Sequence, residues 1–155
     1  MATETATSTD RYLTLRCQFC DTWNRVDAGR AKDRPKCGKC GRPLLLDRPW
    51  PLTDETFAKT IAETTVPVLV DFYADWCGPC KMMDERTWVD ATVVAETARF
   101  ICVKLNVDEE PARAQQFGVR AVPTIAFVTP AGQIVNRATG FMEPRDLLRL
   151  MRKVR

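Results

Sequence analysis

The sequence predicts an α/β domain, a three-layer sandwich with a mixed central sheet between helices, preceded by a small module of a different kind. Three observations carry this reading. After residue 65 the segments run β-α-α-β-α-β-β-α, and strands separated by helices pair in parallel through right-handed crossovers, while a closing hairpin adds an antiparallel edge. Charge is uneven: residues 1–46 hold nine Lys/Arg against five Asp/Glu, whereas residues 47–155 hold fourteen against fifteen. Finally, six of the seven cysteines fall into three Cys-x-x-Cys pairs, two of them before residue 46.

Residues 1–10 are polar and read as a disordered lead-in. Residues 11–46 show little periodicity of either kind, only apolar spots (Tyr12-Leu13, Trp23, Val26, Leu44-Leu45-Leu46) around four cysteines, Gly and Pro. Such a segment lacks the apolar surface for a core of its own and needs a staple to fold. Residues 47–52, with Arg48-Pro49-Trp50-Pro51, form the expected linker, and 53–155 the main domain.

Thr53 is a suitable N-cap for a helix to about Thr64, with Asp54 and Glu55 in its first turn and Phe57 and Ile61 on one face. The run Val66–Tyr73 is a buried strand. A helix starts at Cys77–Gly78 and runs to about Arg86. Asp90 caps another over residues 91–98, and residues 100–107 form a second apolar strand. Pro111 and Gly118 bracket a short helix. Residues 124–128 and 133–137 are strands around the turn Thr129-Pro130-Ala131-Gly132. Pro144 opens the last helix, with Leu147, Met151 and Val154 on one face.

The apolar (45%) and charged (28%) fractions are those of a globular protein. No apolar run approaches the ~18 residues of a membrane span. The N-terminus lacks the apolar stretch of a secretory signal, so the expected address is a reducing cytoplasm, where Cys-x-x-Cys pairs are metal ligands or redox couples rather than structural disulfides. The chain contains no histidine, which excludes Cys-His and Ser-His catalysis.

Cys77-Gly78-Pro79-Cys80 ends an apolar strand and opens a helix. At that position unpaired backbone N–H groups and the helix dipole favour a thiolate, and Cys80 lies one turn along, within reach to close a disulfide. Pro79 fits the first helical turn, where its missing N–H costs nothing. A metal knuckle is the alternative, but it needs a second pair nearby, and Trp76 and an apolar strand are poor knuckle flanks. The pair therefore reads as a reversible dithiol that attacks substrate disulfides through a mixed disulfide.

With these residues in view, Asp71-Phe-Tyr-Ala-Asp-Trp-Cys-Gly-Pro-Cys-Lys81 resembles the active-site signature of thioredoxins. Lys104-Leu-Asn-Val-Asp108 resembles the family's third strand, and Val122-Pro123-Thr124 its cis-proline loop. The resemblance spans about residues 52–154 and implies the thioredoxin fold. It implies that Asp71 is a buried carboxylate relaying a proton for Cys80, with Lys104 tuning it, and that Trp76, Gly78 and Pro79 flank the disulfide. It also implies a cis Pro123, with Val122 offering its backbone to an extended substrate. A solvated strand-end Lys104 and an ordinary trans Pro123 are the plain alternatives. One departure stands out. The family's kink proline, five positions after the second cysteine, is replaced by Glu85. The stretch Met82–Asp90 instead resembles thioredoxin-like domains of the disulfide-interchange type, in which the helix is followed by a Thr-aromatic break. The electron donor is correspondingly open.

Cys17-x2-Cys20, sixteen residues, then Cys37-x2-Cys40 fits four-cysteine zinc spacing, with Gly38 and Gly41 permitting the turns. One structural zinc would supply the staple this segment lacks. Iron, or two further redox disulfides, are the alternatives. This layout resembles the zinc-binding type-two bacterial thioredoxins. The basic run Arg30, Lys32, Arg34, Lys36, Lys39 and Arg42 has only Phe19 and Trp23 as aromatic company, so a solvated loop explains it better than nucleic-acid binding. Cys102, on an apolar strand, is assigned no function.

The reading is a monomeric cytoplasmic protein-disulfide reductase with a structural or redox-sensitive zinc site and no organic cofactor of its own. By the resemblance, electrons come from an NADPH-dependent thioredoxin reductase. The alternatives are a zinc-ribbon interaction module, a disulfide-interchange protein with another donor, and a regulator that loses zinc on oxidation.

Overall fold

The computed structural model describes residues 11–46 and 48–154. The expected disordered lead-in, residues 1–10, and Asp47 of the expected linker lie outside them. The chain opens with strands β1 (Tyr12–Arg16) and β2 (Trp23–Asp27), an antiparallel hairpin in which Leu13 faces Val26 and Arg16 faces Trp23. A 3-10 turn (Ala28–Asp33) follows, and Lys36 bridges Pro43 around the second cysteine pair.

The main sheet has five strands in the order β3-β5-β4-β6-β7. These are β3 (Trp50–Pro51), β4 (Val68–Tyr73), β5 (Ile101–Asn106), β6 (Thr124–Val128) and β7 (Ile134–Thr139). β3, β5 and β4 are parallel, and β6 and β7 add the antiparallel edge expected from the closing hairpin. Gly132, at φ 89°, makes the β6–β7 turn in the left-handed conformation that glycine adopts without strain.

Among the described residues, five α-helices cover the sheet: α1 (Asp54–Ala62), α2 (Gly78–Met82), α3 (Ala91–Glu96), α4 (Pro111–Gln116) and α5 (Pro144–Lys153). Thr53 caps α1 in a reciprocal pair with Thr56, and Asp90 caps α3 through the N–H groups of Thr92 and Val93. Pro111 and Pro144 open α4 and α5. α2 passes directly into a π-helical turn, Met83–Thr87, closed by the Trp88 N–H on the Met83 carbonyl (2.9 Å). The extra residue per turn breaks the helix at the expected Thr-aromatic position and takes the place of the family's proline kink.

Alternation along β4 divides the interior into two cores. Val68, Val70 and Phe72 face one, with Phe57, Val103, Leu105 and Phe117. Leu69 faces the other, with Met83, Trp88, Phe127, Leu147 and Met151.

The first part of the chain departs from expectation. Residues 11–46 contain a hairpin, and Leu13, Leu15, Val26 and Leu44 are buried in the same core as Phe57 and Val68. The segment lacks a core of its own because it shares the neighbouring one. β1 is tied to the end of α1 by backbone and hydroxyl groups. The Tyr12 N–H donates to the Thr65 hydroxyl (2.8 Å), the Thr14 N–H to the Thr64 hydroxyl (3.1 Å), and the Thr14 hydroxyl to the Glu63 carbonyl (3.0 Å). Arg16 reaches Glu55 (3.2 Å), and the Lys59 ammonium sits over the Trp23 ring (4.7 Å). Within the expected linker, Trp50 is buried and pairs with Val103, and the Leu52 N–H bonds the Lys104 carbonyl (2.9 Å).

A shared core makes the two parts unfold together. Leu13→Ala should cost about 2–5 kcal/mol in denaturant unfolding and leave one transition. Separate transitions for the N-terminal segment and the sheet would contradict the shared core.

Candidate functional site

The site forms where β4 ends and α2 begins. Strand pairing carries the chain through Tyr73, a short connection turns it, and Cys77 takes the N-cap position of α2 in extended conformation. Cys77 and Cys80 are joined by a disulfide with Cα atoms 5.3 Å apart. The Cys80 N–H points at the Cys77 sulfur (3.1 Å), so an otherwise unpaired donor of the first helical turn is directed at the reacting atom. Both cysteines are buried, while Gly78 and Pro79 are exposed on the outer side.

Around the disulfide lies a small apolar cluster of Ala74, Cys77 and Cys80, against which Tyr73, Val107 and Val122 pack. Val122 is half-buried and joined to Pro123 by a cis peptide bond. On the other flank stands Trp76, 70% exposed, its indole N–H donating to Asp108 (2.7 Å).

Asp71 lies in β4 on the same face as Leu69, the face covered by Met83 and Trp88. It pairs across the sheet with Lys104 on β5 and Ile125 on β6. Its carboxyl is pushed up to about 7, first by burial and then by the exposed Asp84, against the opposing Lys104 and Trp88 indole. Its Oδ1 has no hydrogen-bond partner of ordinary geometry, and neither has the buried Trp88 Nε1. Lys104 is half-buried, its ammonium 4.9 Å from the Tyr73 ring centroid. Buried Cys102, on the same strand as Lys104, has its thiol pushed up to about 12 by burial and by Asp71.

The other two pairs converge elsewhere. The sulfurs of Cys17, Cys20, Cys37 and Cys40 lie within 4.8 Å of one another. The Cys17–Cys40 and Cys20–Cys37 separations are 3.7 and 3.5 Å. Four thiolates around zinc at about 2.3 Å stand roughly 3.8 Å apart, so the spacing fits the ion. The donors fit too. The Phe19 N–H is directed at Cys17, and the Lys39 N–H and the Asn24 amide are directed at Cys37, each at 3.4 Å. Such bonds stabilise thiolates. They lower the Cys37 thiol to about 6, the Cys40 backbone contributing most, then Asn24. Of the basic run, Arg30 pairs with Asp33 (3.8 Å) and Arg42 stacks on Phe19 (4.6 Å).

Sequence reasoning missed Asn24, Asp108 and Trp88. Asn24 lies between the pairs with no spacing that marks it, though it also accepts from the Gly38 N–H (2.9 Å). Asp108 ends the third-strand segment quoted above, a signal read without a role. Trp88 reads in sequence only as the aromatic of a helix break.

Comparison with known proteins agrees with this geometry. A family model described as Thioredoxin matches residues 48–153, and a zinc-ribbon model described as Thioredoxin 2, N-terminal matches residues 16–42. Thioredoxin C-3 of Corynebacterium nephridii is 30% identical over 131 residues, spanning 84% of this chain and 88% of that protein. Thioredoxin 1 of a Nostoc strain is 37% identical over 102 residues, 66% of this chain and 92% of that protein. Among solved structures, a mutant thioredoxin from Halobacterium salinarum superposes with a TM-score of 0.60 at 33% identity, covering 70% of this chain and 92% of that one. Mitochondrial thioredoxin 3 of Saccharomyces cerevisiae does so with 0.58 at 31% identity, covering 68% and 95%. The fold and site define a thiol-disulfide oxidoreductase built on a Cys-Gly-Pro-Cys dithiol. The chain belongs to the thioredoxin family, with an N-terminal four-cysteine zinc-ribbon domain.

The raised Asp71 pKa has a consequence for stability. Between the ordinary value of 3.8 and about 7 the folded chain holds a proton that the unfolded chain has released. Stability therefore falls as pH rises through that window and levels off above it. Asp71→Asn removes this loss. The variant should become more stable than the parent as pH rises from 4 to 7, by a few kcal/mol at the plateau, as read by urea unfolding at each pH. Equal stabilities at pH 5 and 8 would contradict it.

Proposed function

We propose that Cys77 is the attacking thiol and Cys80 the resolving thiol of a cytoplasmic protein-disulfide reductase. The observation that carries the reading is the Cys77–Cys80 disulfide at the start of α2, one strand-turn away from a carboxylate buried in β4. In the reduced protein the Cys77 thiolate attacks one sulfur of a substrate disulfide. A Cys77–substrate bond forms and the first substrate thiolate leaves. Cys80 then gives its proton to Asp71 and attacks the Cys77 sulfur, the mixed disulfide breaks, and the second substrate thiolate leaves. The substrate gains two electrons and the dithiol loses two. A carboxyl near 7 is suited to this transfer, since it accepts and returns a proton at working pH. Lys104 tunes Asp71, and exposed Trp76, Gly78 and Pro79, with Val122 and Pro123 opposite, hold an extended substrate segment by backbone pairing.

Thioredoxin reductase with NADPH is the proposed electron donor, in keeping with the family's signature residues 71–81. The cytoplasm is proposed because a dithiol and four module thiols stay reduced only in a reducing compartment. Cys17, Cys20, Cys37 and Cys40 would hold a single zinc ion, which would tie the two knuckles together and add no step to the reaction.

Insulin-disulfide reduction with NADPH and thioredoxin reductase tests the reaction and its donor. Turnover is expected, abolished in Cys77→Ser, and Cys80→Ser should accumulate a mixed disulfide. Activity with dithiothreitol but none with the reductase would overturn the donor; full activity in Cys77→Ser would overturn the mechanism. Metal analysis should find one zinc per chain. Its removal by chelator should lower the melting temperature, and an unchanged melt would count against a structural role.

A further inference from the structure

We propose that Trp88 is a positioning residue for Asp71, its indole N–H holding the carboxylate in the orientation and charge state from which it exchanges a proton with Cys80. The inference rests on the reading of Asp71 as the proton acceptor for Cys80. Three observations lead to it. Asp71 Oδ1 and Trp88 Nε1 are both buried and both without a hydrogen-bond partner of ordinary geometry. A buried orphan donor and a buried orphan acceptor are each costly alone, and native proteins seldom keep them without a use. Second, both groups lie in one layer. Asp71 shares the face of Leu69, which packs with Met83 and Trp88. After burial, Asp84 and Lys104, the indole is the remaining influence on the carboxyl, and it favours the ionised form. Third, the π turn sets this arrangement. The Trp88 N–H bonds back five residues to Met83, and the ring comes to lie in the core at the end of the helix that begins at Cys77.

The other groups facing Asp71 leave this task to the indole. Lys104 on β5 favours the ionised form as a charge, and its ammonium stands over the Tyr73 ring. Asp84, on the π turn, opposes ionisation. Cys102 on β5 and Tyr73 on β4 have thiol and phenol groups raised chiefly by burial, with Asp71 adding to both, so both are neutral near pH 7. From β6 the neighbour is Ile125, which does not titrate. Trp88 is therefore the donor of the set that neither carries charge nor titrates, and its N–H has no other partner. In the oxidised protein as described the two atoms have no hydrogen-bond partner. A direct bond formed when Asp71 ionises would give the carboxylate a preferred oxygen for the proton.

Trp88→Phe keeps the ring and removes the donor. Loss of a donor to the charged form raises the Asp71 pKa. The alkaline-rising limb of disulfide reduction should move to higher pH. The variant should be several-fold slower at about pH 6 and close to the parent at about pH 9. In an Asp71→Asn background the same substitution should leave the pH profile where Asp71→Asn put it. An unshifted profile in Trp88→Phe would overturn the inference, as would an equal shift with and without Asp71. If Asp71→Asn itself leaves the profile unchanged, the reading of Asp71 as proton acceptor fails first. Should Trp88→Phe fail to fold, indole emission against pH decides, measured in Trp76→Phe to remove the exposed ring. A titrating component lost in Trp76→Phe with Asp71→Asn supports the contact, and a pH-independent emission overturns it.

Discussion

A carboxylate buried in the central strand is the constraint on which the rest of this structure depends. Asp71 interrupts a strand whose other members are apolar, at a position where burial alone favours the neutral acid. The sheet does not compensate it fully. Lys104 stands opposite on β5 as a half-buried charge, and Asp84 works against it from above. The outcome is a carboxyl near 7, neither a fixed anion nor a fixed acid. The same strand then delivers Cys77 to the start of α2, so one element positions both the buried carboxyl and the disulfide.

Three pairs of identical spacing have two fates, decided by what surrounds the sulfurs. Cys77 and Cys80 stand alone, with apolar neighbours and one N–H donor, and close on each other. The four module sulfurs stand within 4.8 Å of one another, with backbone and Asn24 donors aimed at them. Those donors suit thiolates held to a metal. The module is not a bead on a string: β1 is hydrogen-bonded to the end of α1, and Leu13 and Leu15 lie in the domain's own core. A metal there would tie two knuckles to a hairpin that is already docked, and would have less folding work to do than in a free zinc ribbon.

The five helices, the two long parallel strands and the closing hairpin were legible because each combines a periodic apolar run with a cap or breaker: Thr53, Asp90, Pro111, Gly132 and Pro144. The dithiol and the four-cysteine cluster were legible from residue type and spacing, and Asp71 from the resemblance of residues 71–81 to the thioredoxin signature. What escaped has physical reasons. β1 and β2 are short, and Leu13, Leu15 and Val26 pack into the core of the main domain, so no local alternation marks them. β3 is two residues long and contains a proline, which suits a sheet edge and reads in sequence as a linker. The π turn has no residue signature beyond a missing proline. Trp88 reads in sequence as the aromatic of a helix break, because its burial in the layer of Asp71 is visible only once the strand and the turn are in space together.

The central claim is that Asp71 exchanges protons near neutral pH inside the sheet. The most direct measurement is an NMR titration of its side-chain carboxyl carbon in the oxidised protein. A single transition near 7 is the predicted result. A midpoint at the ordinary carboxylate value, about 4, would contradict the account.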